Sequence, residues 1–410
     1  MTPHPYVGWF VCGILLTMGG SAAVADSNSA SSIDTFLSRH WQRPLPYQGE
    51  TPPGFSPLEA SLDPRACGTC HPRQLQDWQG SLHARAMGPG LLGQLREMEP
   101  NDRAGHQACL RCHAPLAEQA DELAAWIADD KTVRDPPTEN PETNGSLYQQ
   151  GLICAACHLR TWEIHGPPPR DDRGGTRAVP HGGFQSSAAF EDSRFCAACH
   201  QFEADGFALN GKLLENTFEE WRASPQAAAG QSCQSCHMPD RRHLWRGIHD
   251  KATVLSGVEI TLDRLTTSGA ILSARLTLTN SGVGHRFPTY VTPRVVLEAV
   301  QLDRTGAPIP HTRQERIIAR QVSLDLSEEL FDTRLAPGES NSLDYRLPKD
   351  GEAGALRLRV QVEPDLFYRN FYRAVLGNDA EGKGTGMLRH ALRAAEASAY
   401  TLFQREIPLP

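Results

Sequence analysis

The pattern Cys-x-x-Cys-His occurs five times between Cys67 and His237. Two cysteines three positions apart lie on one side of a helical turn, so their thiols can add to the two vinyl groups of one porphyrin. The histidine after the second cysteine then reaches the iron from the proximal face. The pattern is the attachment signature of c-type haem, and it predicts five covalently bound haems c. Numbered along the chain, motifs 1 to 5 are Cys67, Cys70 and His71; Cys109, Cys112 and His113; Cys154, Cys157 and His158; Cys196, Cys199 and His200; and Cys233, Cys236 and His237.

Two other kinds of site use paired cysteines, but neither explains this pattern. Zinc sites need four ligands each, and five Cys2His triplets do not divide into tetrahedral sites. A redox disulfide uses Cys-x-x-Cys but does not require a histidine after every pair. Of the eleven cysteines in the chain, only Cys12 lies outside a motif. The cysteine usage therefore indicates covalent haem at all five motifs.

The overall charge bears on partners rather than on fold. The chain has 410 residues, enough for two or three domains, and a formal net charge of −8. It contains no block of lysine or arginine, so nucleic-acid binding has no support. Because each haem adds two propionates, the holoprotein is more acidic than the sequence. We therefore expect redox partner proteins with basic surface patches.

The first 25 residues resemble a secretory signal peptide. The apolar run Val7–Met18 leads to an A-x-A cleavage pattern at residues 23–25, although no Lys or Arg precedes the run. The run is too short for a spanning helix, which argues against a retained membrane anchor. Cys12 lies upstream of the cleavage pattern and is not expected to carry lipid. We therefore expect a periplasmic or secreted protein with no transmembrane segment after signal cleavage.

The chain changes character along its length. Between the motifs, first cysteines recur 42, 45, 42 and 37 residues apart, which suits one short helix and one loop per motif. After Asp250, alternating segments such as Leu356–Val362 are separated by Gly-containing turns, which predicts an antiparallel β-sandwich. The predicted fold is mixed, with a mainly α and irregular multihaem cytochrome c domain followed by a β-sandwich-like domain and a C-terminal helix. The predicted segments are a signal peptide at 1–25, an extended N-terminal arm at 26–64, the pentahaem domain at 65–252, the β-domain at 253–363 and a C-terminal helical segment at 364–410.

Aliphatic side chains alone cannot form the hydrophobic core of the haem domain. Porphyrins would supply much of its buried apolar surface, and a ligand that binds the folded state stabilises that state. We therefore expect little structure in this domain without haem.

Eleven histidines remain once each motif has used its own, and a haem iron can take a sixth ligand from histidine or methionine. His83, on the helix that leaves motif 1, is the first distal candidate and is expected to serve another haem. Met87, one turn later, is expected to pack rather than to coordinate. The further metal-ligand candidates are His181 in a Gly-rich loop, His243 and His249 after motif 5, and His285 at a predicted strand end. The other histidines are His106 and His165 as reserves, His40, His311 and His390 as surface residues, and His4 in the predicted signal peptide.

Two stretches of the haem domain resemble each other. Trp78-x-x-Ser81-x-His83 is echoed by Trp221-x-x-Ser224-x-Gln226, in which Gln226 stands where the first copy has histidine. The haem beside Gln226 must therefore take its ligand elsewhere or remain open on one side.

The chain resembles the multihaem cytochromes c of the cytochrome c-554 type over about residues 60–250. The resemblance rests on the five motifs, on the Trp78 to His83 pattern and on Met238-Pro239 after motif 5. It implies closely packed haems, mostly with two histidine ligands, that carry electrons in the periplasm. The fifth motif and the β-rich C-terminal third depart from the tetrahaem members, and no Cys-x-x-Cys-Lys motif is present.

Three functions follow as hypotheses. The first is an exported pentahaem electron carrier without catalytic residues. The second is an oxidoreductase acting on hydroxylamine, nitric oxide or nitrite at one open haem. The third is a subunit of an outer-membrane or surface electron-transfer complex or filament, docked through the β-domain. The surplus of histidines favours the carrier, because it offers one distal candidate for every motif.

Overall fold

The computed structural model describes residues 32–129, 146–170, 180–377 and 382–409. The predicted signal peptide at 1–25 lies outside this part of the chain. None of the described helices combines the length and the apolar character that crossing a bilayer requires.

The haem domain consists of short helices joined by loops. These helices are α1 (32–40), α2 (Pro64–Gly68), α3 (Pro72–Gln79), α4 (Pro89–Glu97), α5 (Arg103–His113), α6 (Ala117–Ala128), α7 (Cys154–His158), α8 (Arg194–His200), α9 (Thr217–Arg222), α10 (Pro225–Ala228), α11 (Cys233–His237) and α12 (Lys251–Gly257). Capping side chains fix where several of them begin. Asp63 accepts a hydrogen bond from the Arg65 N–H at 2.8 Å, and Ser232 accepts one from the Ser235 N–H at 3.2 Å. Pro72 opens α3, where its missing N–H has no cost.

Short strands link these helices to each other and to the β-domain. They are β1 (Leu159–Arg160), β2 (Glu163–Gly166), β3 (Gln185–Ser186), β4 (Ala208–Leu209) and β5 (Lys212–Leu213). β1, β2 and β3 form a small sheet after motif 3, and β4 and β5 form a hairpin between motifs 4 and 5. Arg320 of the β-domain donates to the carbonyl of Leu213 at 2.7 Å and to that of Lys212 at 2.9 Å. The hairpin therefore joins the two domains.

The N-terminal arm is not the extended chain that its composition predicts. Ile33, Phe36 and His40 follow helical spacing on α1, a pattern that the surrounding Ser-rich sequence obscures. His40 is 3% exposed, its ring stacks on Phe36 at 4.7 Å, and its Nε2 donates to the Cys157 carbonyl at 2.8 Å. The prediction that His40 and Trp41 form a surface pair is therefore wrong for His40, which packs against motif 3.

The predicted β-sandwich is confirmed after α12. Its strands are β6 (Val258–Leu262), β7 (Thr266–Ser268), β8 (Ile271–Asn280), β9 (Arg294–Asp303), β10 (Gln314–Ile318), β11 (Arg320–Val322), β12 (Glu329–Asp332), β13 (Ser340–Pro348), β14 (Ala353–Glu363) and β15 (Tyr400–Pro408). One sheet has the order β10–β9–β14–β15, and the other has the order β13–β8–β6 with β7 also on β8. Alternate residues of β8 and β14, such as Leu276 and Leu358, are fully buried in one apolar core between the sheets.

The C-terminal segment is only partly the helical unit that its sequence predicts. Helices α13 (Leu366–Gly377) and α14 (Thr385–Ala397) leave the sandwich after β14, and the chain then returns as β15, which pairs with β14. Residues 400–408 are therefore a strand rather than helix. The reason is non-local, since this edge of β14 is open until the last strand covers it.

Close packing of α13 and α14 on α4 fastens the β-domain to the haem domain. A Cβ on Gly90 would lie 2.1 Å from the Tyr372 hydroxyl, and one on Gly93 would lie 2.9 Å from the Leu388 side chain. Glycine at these two positions is what allows the helices to approach. Met387 of α14 is 6% exposed and joins the apolar cluster formed by α4, α5 and α6. The C-terminal helices thus belong to the core of the haem domain.

Candidate haem-binding sites

Each Cys-x-x-Cys-His motif lies on a short helix or at a helix junction. Motif 1 spans the end of α2 and the start of α3, motif 2 ends α5, and motif 4 ends α8. Motif 3 forms the whole of α7, and motif 5 forms the whole of α11. One helical turn therefore presents the two thiols of each motif together, as thioether attachment to one porphyrin requires.

The thiols of different motifs also approach one another. Cys67 of motif 1 is within hydrogen-bond range of Cys154 of motif 3. The same relation joins Cys112 of motif 2 to Cys199 of motif 4, and Cys196 of motif 4 to Cys233 of motif 5. Motif 4 therefore adjoins both motif 2 and motif 5.

Four of the five motif histidines have their Nδ1 atom engaged in a hydrogen bond. His113 donates from Nδ1 to the Ala86 carbonyl at 2.7 Å, and His237 donates from Nδ1 to the Arg246 carbonyl at 2.8 Å. His158 donates likewise to the His165 carbonyl at 2.8 Å, and His200 Nδ1 lies 2.6 Å from the Tyr290 hydroxyl, to which it donates when Nε2 binds a metal. A donor at Nδ1 fixes the tautomer that leaves the Nε2 lone pair for a metal. The hydrogen bonds thus prepare these rings for iron.

Three motif histidines face a histidine from elsewhere in the chain. The ring centres are 6.3 Å apart for His83 and His200, 6.1 Å for His158 and His243, and 6.4 Å for His237 and His285. Two imidazoles bound through nitrogen to opposite sides of one metal, with bonds of about 2 Å each, have ring centres about 6 Å apart. The spacing of each pair therefore fits an iron between the two rings.

The electrostatics of these rings also suit metal binding. Burial, as the largest cause, lowers the pKa of His83 to about 3 and that of His158, His200 and His285 to about 4. These rings are therefore neutral around neutral pH. A neutral imidazole is the form that coordinates a metal.

The distal histidines are held by side chains that the motif pattern does not reveal. Asn280, which is fully buried, donates to the His285 carbonyl at 2.9 Å and accepts from the Val283 N–H at 3.0 Å. The Trp245 ring lies 4.7 Å from the His83 ring and 5.0 Å from that of His243. Asn280 therefore shapes the loop behind one distal histidine, and Trp245 packs between two others.

The loop of His243 depends on an ion pair whose carboxylate is buried. Asp77 on α3 is 6% exposed; it pairs with the Arg242 guanidinium, which lowers its pKa, and accepts from the His243 N–H at 3.1 Å. Replacing Asp77 with Asn should lower the free energy of unfolding by about 1–3 kcal/mol, because a hydrogen-bonded charge pair is lost. It should also increase the high-spin fraction of one haem, because His243 loses its support.

Denaturant unfolding and EPR of the Asp77→Asn holoprotein would test this prediction. Asp344→Asn is the matched control, because Asp344 pairs with Arg275 on the exposed face of the sandwich. Equal effects from the two substitutions would contradict a special role for Asp77.

The remaining distal candidates do not face a motif histidine. His249 instead pairs with Asp365, Nε2 to Oδ2 at 3.0 Å, and the N–H of His181 donates to Glu59 at 3.0 Å. Among the described residues, neither His71 nor His113 forms a ring pair with another histidine. The structure therefore brings three of the five predicted distal histidines to a motif histidine, and leaves His181 and His249 apart.

The reserve and surface histidines take other places. His106 is 5% exposed with its Nε2 unbonded, and His165 contributes its carbonyl to His158. His311 pairs with Asp350 on an exposed surface, and His390 is half-buried on α14.

The echoed tryptophan pattern has a structural counterpart. The Trp78 indole donates to the Leu152 carbonyl at 2.7 Å, and the Trp221 indole donates to the Gln231 carbonyl at 2.9 Å. Both carbonyls lie two residues before the first cysteine of a motif, so each tryptophan anchors a later motif. Trp221 and Gln226 pack against Gly284, beside His285. The neighbourhood of Gln226 therefore takes a histidine from the β-domain.

Sequence reasoning missed Tyr290, whose hydroxyl accepts from His200. No local pattern marks it, because the two residues are 90 positions apart. Only the fold brings the loop before β9 to motif 4.

These sites define a haem-binding protein of the c type. Residues 66–159 match the model of the family described as cytochrome c554 and c-prime. The structure resembles that of a penta-heme cytochrome c552 from Thermochromatium tepidum, with a TM-score of 0.59 and 18% sequence identity, over 86% of this chain and all of that one. A search of curated proteins found no match. The five motifs, the family match over residues 66–159 and the likeness of fold support a multihaem c-type cytochrome.

Proposed function

We propose that the protein is an exported electron carrier with five covalently attached haems c, packed closely and mostly ligated by two histidines. The proposal rests on three histidine pairs: His83 with His200, His158 with His243, and His237 with His285. In each pair, a motif histidine meets a histidine from elsewhere in the chain at the separation that one iron needs. An iron with both faces filled by protein exchanges electrons but offers no position for a substrate.

The residues of the chain would serve electron transfer in three ways. Bound haem supplies a one-electron couple at the iron. The fold brings neighbouring attachment points together, because cysteines of motifs 1 and 3, 2 and 4, and 4 and 5 lie close to each other. The hydrogen bonds at Nδ1 keep four of the five proximal rings in one orientation, so little rearrangement accompanies a change in charge. Two neutral imidazoles stabilise ferric iron more than histidine with methionine does, which favours low potentials.

Export and redox partners are part of the same proposal. The predicted signal peptide at 1–25 supports a periplasmic or secreted location, where haem attachment takes place. The net charge of −8 supports partner proteins with basic docking surfaces.

The mature holoprotein should carry five haems, at least three of them low-spin in the ferric state. Mass spectrometry counts the covalent additions, and low-temperature EPR counts low-spin and high-spin haems. The two counts are independent, so a failure of attachment can be told from a failure of ligation. Fewer than three low-spin signals from a fully loaded protein would disprove the carrier mechanism.

A second candidate is an oxidoreductase that acts on a small nitrogen compound at an open haem. It is favoured by motifs 1 and 2, whose histidines meet no other histidine ring among the described residues. Motif 2 also lies near the hydroxyl of Tyr368 on α13, because Tyr368 and Cys109 interact electrostatically. The open haem is not expected beside Gln226, because His285 lies next to that residue.

Carbon monoxide separates the two candidates, because it binds ferrous haem only where the sixth position is open. The carrier should bind it poorly at the three haems with a histidine pair and give no catalytic current with hydroxylamine or nitrite. Rapid stoichiometric binding at one haem, with such a current, would establish the oxidoreductase instead.

A further inference from the structure

His200 of motif 4 differs from the other motif histidines in its hydrogen-bond partner. Ala86, His165 and Arg246 each offer a backbone carbonyl to one of the other rings, whereas His200 donates from Nδ1 to the side-chain hydroxyl of Tyr290 at 2.6 Å. A carbonyl has a fixed acceptor strength. A phenol hydroxyl accepts more strongly when its own proton is drawn away, because neighbouring hydrogen bonds polarise one another.

A buried carboxyl group lies behind this tyrosine. Glu215, just before α9, lies close to the Tyr290 hydroxyl and accepts from the Thr217 hydroxyl at 3.0 Å. When Nε2 of His200 binds iron, its Nδ1–H donates to the Tyr290 oxygen, and the Tyr290 O–H is left to point toward Glu215. Because burial is the largest cause, the pKa of Glu215 is raised to about 8.

The fold holds Tyr290 firmly in this position. Its φ is +65°, a left-handed backbone that bulky residues rarely adopt and that the surrounding structure must impose. Next to it, the Thr289 hydroxyl lies 2.8 Å from that of Thr217. The loop that carries Tyr290 is thus hydrogen-bonded to α9 through more than one residue. A side chain that served only to fill space would not need these hydrogen bonds.

Charged groups from both domains surround the carboxyl group. Tyr290 faces Glu215 from the loop of the β-domain, and Glu220 faces it from α9. Glu220 is itself paired with Arg334 of the β-domain at 2.9 Å, and Arg334 also pairs with Asp332 at 3.0 Å. Glu220 is thus the nearby negative charge, and its ion pair with Arg334 partly offsets the effect of that charge on Glu215.

We propose that Tyr290 and Glu215 are positioning residues that strengthen His200 as an iron ligand and so lower the potential of the haem at motif 4. An imidazole whose N–H is drawn toward an acceptor donates more electron density to the metal, which stabilises ferric over ferrous iron. The inference rests on the proposed carrier function and assigns to the β-domain the control of one potential. Motif 4 lies beside motifs 2 and 5, since its two cysteines neighbour theirs, so this potential governs electron passage between them.

The test compares midpoint potentials of the holoprotein with those of Tyr290→Phe and Glu215→Gln, by EPR-monitored redox titration. Tyr290→Phe should raise one potential and leave the others unchanged. A tenfold loss of the preference for ferric iron corresponds to 59 mV for a one-electron couple. Glu215→Gln, which keeps the size of the side chain, should raise the same potential less. Tyr345→Phe is the matched control, because Tyr345 bonds to Gln301 inside the sandwich.

A pH profile supplies a second readout that a structural role would not move. As the pH rises through about 8, Glu215 loses its proton, becomes a stronger acceptor and should lower the potential of that haem. Glu215→Gln should abolish this dependence. Unchanged potentials in Tyr290→Phe, or a common shift of all haems, would overturn the inference.

Failure of this inference can be told from failure of the proposed function. If the haem at motif 4 remains low-spin in every variant and its potential does not move, only the role of Tyr290 and Glu215 is wrong. If the wild-type holoprotein already has a high-spin haem at motif 4, the pairing of His83 with His200 is wrong, and both proposals fall together.

Discussion

Replacing His285 with Ala should convert one low-spin haem of the oxidised holoprotein into a high-spin or water-ligated haem. His285 belongs to the β-domain, and its ring lies 6.4 Å from that of His237 and within 14° of parallel. Removal of the imidazole leaves the iron of motif 5 with one protein ligand. EPR should show one low-spin signal lost, and ferrous protein should bind one equivalent of carbon monoxide.

The matched control is His311→Ala, which removes a histidine of the same domain that pairs with Asp350 at an exposed surface. It should leave every haem signal unchanged. Retention of all low-spin signals in His285→Ala would mean that another group serves motif 5, and the histidine pairing would then lose one of its three members.

Local patterns explain which parts of this molecule could be predicted. Haem attachment depends on residues within one helical turn, so the five motifs can be recognised in the sequence alone. The alternation in Leu356–Val362 predicts a strand because every second side chain enters the core, and the structure buries these residues. The glycines at turns separate such segments, so the existence of a sandwich also follows from the sequence.

Partners that lie far apart in the chain could not be paired from the sequence. His83 meets His200 and His285 meets His237 only after the loops between them have folded. His249 lies close to motif 5 in sequence and was predicted as a distal ligand, but its ring pairs with Asp365. Proximity along the chain is therefore a poor guide to distal ligation, because the ligand comes from whichever element covers the open face of the haem.

The same reason accounts for the C-terminal segment. α14 has a clear helical period, and its apolar residues were expected to pack on some core. Its core proved to be that of the haem domain, where Met387 joins the cluster around α4, and the strand that follows returns to the sandwich. The periodicity within residues 364–410 predicts a helix, but it does not indicate that this segment packs on two different domains.

The two domains differ in how much of their core the chain itself supplies. The sandwich encloses one continuous cluster of Leu, Val and Ile residues between its sheets. The haem domain divides its apolar residues between separate smaller clusters. Its motif helices α7 and α11 have five residues each, far below the length at which an isolated helix is stable. The stability of the haem domain must therefore come largely from the cofactor.

A chain without haem should retain the sandwich and lose the haem domain. The variant replaces all ten motif cysteines with serine, and hydrogen exchange followed by mass spectrometry measures each segment. Amides of β8, β9, β13, β14 and β15 should remain protected, because these strands pair with each other. Amides from α2 to α11 should exchange as in an unfolded chain. α13 and α14 should follow the haem domain although β15, beside them in sequence, does not. Full protection of α5 to α8 without haem would refute the dependence on the cofactor and would mean that the chain alone specifies these helices.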